Sequence, residues 1–203
     1  PDYIAVAFDL HEPTFRHKEY DQYKATRQVQ PPSLTDQFPY VREVVETLQI
    51  PIFEKPGFEA DDVVGTLSKK AEAEGIDVEI VTGDLDALQL VSPHVRIMTT
   101  RKGITDTVIY DDKQVAARYG ITPAQIPDFK ALKGDTSDNI PGVKGIGEKT
   151  ASELIQKYGT LENIYQKLDE IKPARAQEAL RKNQKEAFLS KRLATIILNV
   201  PLA

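Results

Sequence analysis

The 203-residue chain has no cysteine, no tryptophan, one methionine and three histidines. Without cysteine there is no disulfide framework, no thiolate metal site and no cysteine nucleophile. His11, His17 and His94 are too few and too scattered for a tight imidazole zinc site unless distant segments converge. No Ser-His-Asp order of a nucleophilic triad is apparent. No run approaches the roughly 18 apolar residues of a membrane-spanning helix. The first ten residues, PDYIAVAFDL, lack the basic start and small-residue cleavage site of a signal peptide. They also lack an initiating Met and enter an apolar run almost at once, which reads as a piece cut from a longer protein. Internal repeats and low-complexity stretches are missing too.

What is present is a globular composition, 40% hydrophobic and 28% charged, long enough for one large domain or two small ones. The net charge of −5 looks wrong for a nucleic-acid binder, but it is unevenly spread. Pro1 to Pro141 holds 24 acidic against 15 basic residues; Gly142 to Ala203 holds 7 against 11. An acidic body joined to a basic end is either chance surface charge or a division of labour.

Hydrophobic pattern gives the architecture. Tyr3–Phe8, Ile50–Glu54, Val78–Val81, Val95–Met98 and Thr107–Tyr110 read as strands. A helix is expected from Ser33, with Leu34, Phe38, Val41, Val45 and Leu48 at roughly helical spacing. Another runs from Ala60 to Glu74 and stops at Gly75. Beyond Asp111 the pattern is helical to the end, with breaks at Gly120, Pro127, Gly134, Pro141–Gly147, Gly159 and Pro173. Strands alternating with helices predict an α/β fold with a central, mostly parallel sheet and flanking helices over residues 1–110. A helical subdomain over 111–203 is expected to pack on it.

In open α/β sheets, ligands bind beyond the carboxyl ends of the strands. Asp9 follows the first strand, Glu59, Asp61 and Asp62 follow the second and open a helix, and Asp84 and Asp86 follow the third. If these strands are parallel neighbours, six carboxylates converge on one sheet edge. Asp135 and Asp138 form a further pair in the turn-like GDTSDN. Each has a plainer reading: Asp61 and Asp62 favour a helix start, and the other pairs suit turns. Together they are harder to dismiss. Two carboxylates ~5 Å apart repel by roughly 3 kcal/mol at an effective dielectric of about 20. All-oxygen ligand sets suit Mg²⁺ or Mn²⁺. Two such ions can activate water and stabilise both oxygens of an in-line phosphoryl displacement. Metal-assisted phosphodiester hydrolysis is the reaction class this pattern favours.

Two segments suit phosphate. NIPGVKGIGEKTA, residues 139–151, is a Gly-rich turn entering a helix, with Lys144 and Lys149. It lacks the Walker spacing and a preceding strand, and has the pattern of a helix–hairpin–helix element near 139–158, which grips a DNA backbone without reading bases. An ordinary helix–turn–helix connection is the plain alternative. His11–Arg27 sets Arg16, Lys18, Lys24 and Arg27 beside Phe15, Tyr20 and Tyr23, which suits a threaded single strand. A solvated loop is its plain alternative.

Four stretches in order, AFDLHEPTFRHKEYDQYKATR, GFEADDVVGTL, VTGDLDALQLV and GDTSDNIPGVKGIGEKTA, resemble the 5′-nuclease domain of bacterial DNA polymerase I and the related bacterial and phage flap endonucleases. The resemblance runs from end to end and includes SKRLATIILNVPLA, similar to the segment leading into the rest of a polymerase. It implies a PIN-like core, a helical arch and a helix–hairpin–helix subdomain. It implies Asp9, Glu59, Asp61 and Asp62 as a first metal group, and Asp84, Asp86, Asp135 and Asp138 as a second. These would hold two or more Mg²⁺ or Mn²⁺ ions, Asp62 acting through water. Lys24 and Arg27 match arch residues facing the scissile phosphate, and Arg16 a nearby phosphate contact. Gly142, Val143, Lys144, Gly145, Ile146, Gly147 and Lys149 match the duplex-binding hairpin, where a K⁺ ion is often held.

The implied function is 5′–3′ exonuclease and flap endonuclease action on 5′ flaps, nicked or branched duplexes and RNA-primer ends. The implied setting is a monomer in the bacterial cytoplasm, at the nucleoid. Two departures stand out. The family's first strand, with one more ligand Asp followed by Arg, has no counterpart here, and Leu85 stands where a basic residue is common. A junction-binding module without turnover is therefore the alternative. A toxin-like RNase is a third reading, which the hairpin motif disfavours.

Overall fold

The first apolar run yields only a short strand, β1 (Val6–Ala7), in the computed structural model, which describes residues 1–103 and 105–202. Ala203, the last residue of the expected helical part, lies outside the described residues, as does Ile104. β1 pairs in parallel with β2 (Ile52–Phe53), Val6 opposite Ile52 and Ala7 opposite Phe53. The crossover between them carries α1 (Phe15–Glu19), α2 (Pro32–Thr35) and α3 (Phe38–Thr47). The helix expected from Ser33 is thus broken before Phe38. Pro39 lies in the first turn of α3, where its missing N–H and fixed φ start a helix better than they continue one. The apolar stripe is real, but it faces outward: Phe38 is 48% exposed and Leu48 64%.

Helix α4 (Ala60–Ala73) starts at Glu59, which accepts from the third helical N–H while Asp62 reaches back to the Glu59 N–H. This reciprocal cap satisfies donors that a helix start otherwise leaves unpaired. α4 ends just before Gly75, whose φ is +74°. Strand β3 (Val78–Val81) follows as expected, then a 3₁₀ turn (Leu85–Leu90) leads to β4 (Val95–Lys102). β4 runs parallel to β3, and β5 (Asp106–Tyr110) returns antiparallel to β4.

The expected mostly parallel α/β arrangement forms, but the condition that the first three strands be direct neighbours is not met. Among the described residues there are two sheets, β1-β2 and β3-β4-β5, so the third strand is not a direct neighbour of the first two. Two of the three pairings are parallel, and α4 packs against both β1 and β3, holding the sheets together.

The change to helices comes after Tyr110. α5 (Asp112–Tyr119) is capped by Asp111, whose side chain accepts from the Lys113 and Gln114 N–H groups. α6 (Ile126–Lys133), α7 (Glu148–Tyr158), α8 (Leu161–Gln166), α9 (Ala174–Lys182) and α10 (Gln184–Ala194) follow. Pro127 lies in the first turn of α6, again a start signal rather than a break. One apolar core serves both parts: Leu88 and Ile97 belong to the same buried cluster as Leu132, Ile155, Leu161 and Leu180. Each such side chain contributes about 1.5–3 kcal/mol by leaving water. After α10 the chain runs extended across α4. Thr66 Oγ1 accepts from the Val200 N–H at 3.0 Å, and Gln89 Oε1 from the Ile196 N–H at 2.9 Å.

Candidate active site

The start of α4 is the pivot of the site. Asp62 is fully buried, and the Arg16 guanidinium grips it with two parallel bonds of 2.7 and 2.8 Å. Arg16 spends its other donors on the Leu193 and Thr195 carbonyls, both at 2.8 Å. Asp62 also accepts from the Ile197 and Glu59 N–H groups. Each Asp62 oxygen thus accepts twice, four of the five Arg16 N–H donors are used, the fifth lies toward Glu59 Oε2 with Nη1 at 3.5 Å, and Arg16 is 2% exposed. Arg16 is therefore no phosphate contact in this arrangement, and Asp62 has no oxygen facing a ligand. A buried charge persists only when paired and hydrogen-bonded, and here that need joins α1, α4 and the chain after α10.

Around this closed pair lie the other carboxylates. Glu59 is mostly buried; its Oε1 accepts from Lys24 Nζ at 2.7 Å and its Oε2 from the Tyr23 hydroxyl at 3.1 Å. Tyr23 also lies 3.1 Å from Asp138 Oδ2, and Arg27 reaches Asp138 Oδ1 at 2.6 Å. The tyrosine has one proton for two carboxylates. Burial first, then Glu59 and Asp138, push its pKa well above the usual phenol range, so it stays a donor. Lys24 and Asn139 both sit at φ +56°, and the Lys24 N–H donates to the Asp138 carbonyl at 2.9 Å. Two non-glycine residues in the left-handed region at one contact mark local strain at the site.

On the other side, Asp9 Oδ1 accepts from the Ala60 N–H at 2.8 Å, tying the end of β1 to the start of α4. Asp84 follows β3 and accepts from the Asp86 N–H at 2.8 Å. Lys130, on α6, bridges Asp86 and Asp135, with 2.5 Å to Asp135 Oδ2. Burial, and then the charges of Asp84, Asp9 and Glu59, push the Asp61 carboxyl up to about 7 against the pull of Lys24. Asp84 is also shifted upward, first by burial, with Asp138 and Asp135 adding and Lys130 and Lys24 opposing. At Asp135 burial acts in the same upward sense, but Lys130 and Ser137 outweigh it and hold the group down to about 2.

The fold thus brings together Asp9, Glu59, Asp61, Asp84, Asp86, Asp135 and Asp138, while Asp62 is sealed beneath them. Seven carboxylates meet four cations: Lys24, Arg27 and Lys130 face them, and Arg16, bound to Asp62, also lies 3.5 Å from Glu59 Oε2. As the side chains stand, no three acids among the described residues meet closely enough to ligate one ion. The donor set nonetheless suits hard divalent cations: all oxygen, in surplus over its counter-charges, and with one carboxyl driven toward neutrality by burial and then by its acidic neighbours. Two clefts flank the group. One of about 320 Å³ is lined by Asp9, His11, Lys24, Arg27 and Glu59; one of about 680 Å³ is lined by Asp84, Asp86, Arg27, Lys130 and Asp135.

The hairpin divides by burial. Gly142, Val143 and Ile146 are buried, whereas Lys144, Gly145, Gly147 and Lys149 are exposed. Gly142 N–H donates to Ser190 Oγ at 2.9 Å, and a Cβ there would lie 2.3 Å from the Gly134 nitrogen. Gly142, Val143 and Ile146 therefore hold the hairpin on α6 and α10 and do not present themselves to a ligand. The exposed four residues form the outer surface.

This geometry agrees with what the chain resembles. Residues 1–120 match the family model described as 5′–3′ exonuclease, N-terminal resolvase-like domain, and residues 121–203 match the 5′–3′ exonuclease, C-terminal SAM fold. The chain belongs to the 5′–3′ exonuclease family. It is 48% identical over 202 residues to DNA polymerase I of Bacillus caldotenax, and 49% identical over 204 residues to that of Caldicellulosiruptor bescii. All of this chain is covered in each case, but it spans only 23% and 24% of those proteins. Among solved structures, the T5 D15 protein co-crystallised with metal ions aligns over 95% of this chain and 75% of its own, with a TM-score of 0.81 at 24% identity. The catalytic core of Rad2 in complex with DNA substrate aligns over 97% and 66%, with a TM-score of 0.59 at 16% identity. These two likenesses show the fold.

Within this exonuclease domain, two participants were not legible as such. Tyr23 reads in sequence as a stacking aromatic, yet it is 4% exposed and its hydroxyl lies between two carboxylates. Lys130 lies five residues before Asp135 and 44 after Asp86. Its spacing to Asp135 is the only local signal that could have found it.

Proposed function

We propose that this domain is a metal-dependent, structure-specific 5′ nuclease that hydrolyses DNA phosphodiesters at 5′ flaps, nicks and RNA-primer ends, as part of a longer DNA polymerase I. The observation that carries this reading is the surplus of carboxylates over cations at the ends of β1 and β3 and the start of α4. Asp9, Glu59, Asp61, Asp84, Asp86, Asp135 and Asp138 are the residues that would hold two or more Mg²⁺ or Mn²⁺ ions. When bound, such ions lower the pKa of water and stabilise charge on the phosphoryl oxygens.

The chain's own groups do the rest. Lys24 and Arg27 project from the turn after α1 into the 320 Å³ cleft, where they can donate to a scissile phosphate and stabilise its developing charge. Arg27 is the freer of the two, its side chain 50% exposed. Lys144 and Lys149, with the backbone at Gly145 and Gly147, grip the duplex phosphates, and a K⁺ ion on the hairpin carbonyls belongs to the same reading. Phosphate contacts of this kind position a duplex without reading its sequence. Arg16 and Asp62 position the start of α4 from below. No helix among the described residues is long and apolar enough to cross a membrane, and the reading places a monomer at the bacterial nucleoid.

The test is cleavage of a 5′-flap substrate by the full chain in Mg²⁺ and in a chelator. Asp84→Ala is expected to lower cleavage at least ~100-fold and to leave flap binding intact, as removal of a strong electrostatic term does. Equal cleavage by both proteins refutes the reading. Flap binding without cleavage at any Mg²⁺ or Mn²⁺ concentration, in a chain preceded by the family's first strand, replaces it with a non-catalytic junction binder.

A further inference from the structure

The family reading gives Lys130 no part, yet it is more deeply set than Lys24 or Arg27, the other two cations that face the open acids. Its side chain is 14% exposed, and its ammonium lies between Asp86 Oδ1 and Asp135 Oδ2, on side chains 16% and 18% exposed. The fold leaves Asp135 little choice. Its other oxygen, Oδ1, accepts from the Ser137 N–H at 2.8 Å and the Ser137 hydroxyl at 2.6 Å. Only Oδ2 is left for a cation, and Lys130 is on it. An ammonium is a compact point charge that seeks the same oxygens as a hard divalent ion, and both cannot occupy one lone-pair direction.

We propose that Lys130 is the resident counter-ion of the Asp86–Asp135 half of the site: its ammonium occupies the oxygens a divalent cation needs, must be displaced for that cation to bind, and so sets the affinity of this half. The inference rests on the metal-dependent reading above. It makes Lys130 a positioning residue with a definite sign. It holds the acids in place without metal and competes with metal once metal is present. A lysine that merely buttressed the acids would do the opposite, because its loss would scatter the ligands and weaken binding.

The experiment is Mn²⁺ titration of the full chain, with free Mn²⁺ followed by electron paramagnetic resonance. Lys130→Met is expected to tighten the weaker class of bound Mn²⁺ about tenfold, a change of ~1.4 kcal/mol. Lys130→Gln should do the same, which keeps the test open should the Met variant fold poorly. Lys130→Arg keeps the charge and should bind like the parent. In an Asp135→Asn background the gain should fall below about twofold, the range within which uncoupled changes add. Unchanged or weaker Mn²⁺ binding in both Lys130→Met and Lys130→Gln overturns the proposal and leaves the nuclease reading standing. A parent chain that binds no Mn²⁺ overturns both.

Discussion

Arg16 and Asp62 offer the sharpest test of the architecture, because the structure assigns them a role opposite to the one sequence suggests. Removing the guanidinium by Arg16→Met leaves Asp62, fully buried, as a carboxylate with only two backbone donors. It also orphans the carbonyls of Leu193 and Thr195. Breaking a buried pair from one side costs about 3–5 kcal/mol. For a domain of this size each kcal/mol lowers Tm by roughly 2–4 °C, so the variant should melt about 6–20 °C lower. Asp62→Asn should cost a similar amount by stranding Arg16. The double variant has no stranded charge, so its loss should fall short of the sum by at least ~2 kcal/mol, a coupling expected of groups in one network. It should not return to the parent, since the two carbonyls stay unsatisfied at about 1–3 kcal/mol each. Urea unfolding of the four proteins measures the cycle. Below Tm, Arg16→Met should bind flap DNA within about twofold of the parent at matched salt. Additive losses, or a single-variant loss under ~1 kcal/mol, would falsify the buried-pair argument.

Three other outcomes follow from the same geometry. Lys144→Ala with Lys149→Ala should weaken DNA binding and reduce the slope of log K against log salt by about 2, one per lost phosphate contact, with Tm unchanged. Gly142→Ala should cost at least ~3 kcal/mol in denaturant unfolding, because φ is +61° and the added Cβ meets Gly134 backbone at 2.3 Å rather than a movable side chain. Asp61, held at about 7 against an ordinary 3.8, binds its proton more tightly folded than unfolded. The stability it lends is complete below pH 4 and is lost as pH rises through 7, so in EDTA the parent should lose about 2 kcal/mol over that window relative to Asp61→Asn.

Much of the framework was legible because it is local. Val78–Val81 is a strand of β-formers bounded by turn residues, and it forms as expected. The run from Ala60 to Gly75 announces its own start and stop. The acids could be placed because they follow strands, and strand ends are where α/β folds put ligand sites. The stripe from Leu34 to Leu48 shows the limit of that logic: periodicity predicts a helical face but not what covers it, and this one is exposed. The division into two sheets was illegible because β1 and β2 order only two residues each, fewer than their apolar runs suggest. The charge pairing was illegible for another reason. Arg16 finds Asp62 46 residues on, and Lys130 finds Asp86 44 residues back, across contacts that only the packing of α1, α4 and α6 creates. Basic residues near a suspected phosphate site read as ligand contacts, and nothing local shows that one of them is spent inside.

On the metal-dependent reading proposed above, that distribution of cations would decide which half of the site takes a divalent ion first. Glu59 has Lys24 and, at 3.5 Å, Arg16; Asp138 has Arg27; Asp86 and Asp135 share Lys130. Asp9, Asp61 and Asp84 form no ion pair among the described residues, and they sit at the end of β1, the start of α4 and the end of β3. If these three side chains closed around an ion, it would displace no ammonium and would relieve the repulsion that adds to burial in raising the Asp61 pKa. An ion on the Asp86–Asp135 side must first move Lys130. On the proposed reading, two classes of affinity would therefore follow from charge placement alone, since carboxylate oxygens would be the ligands on both sides.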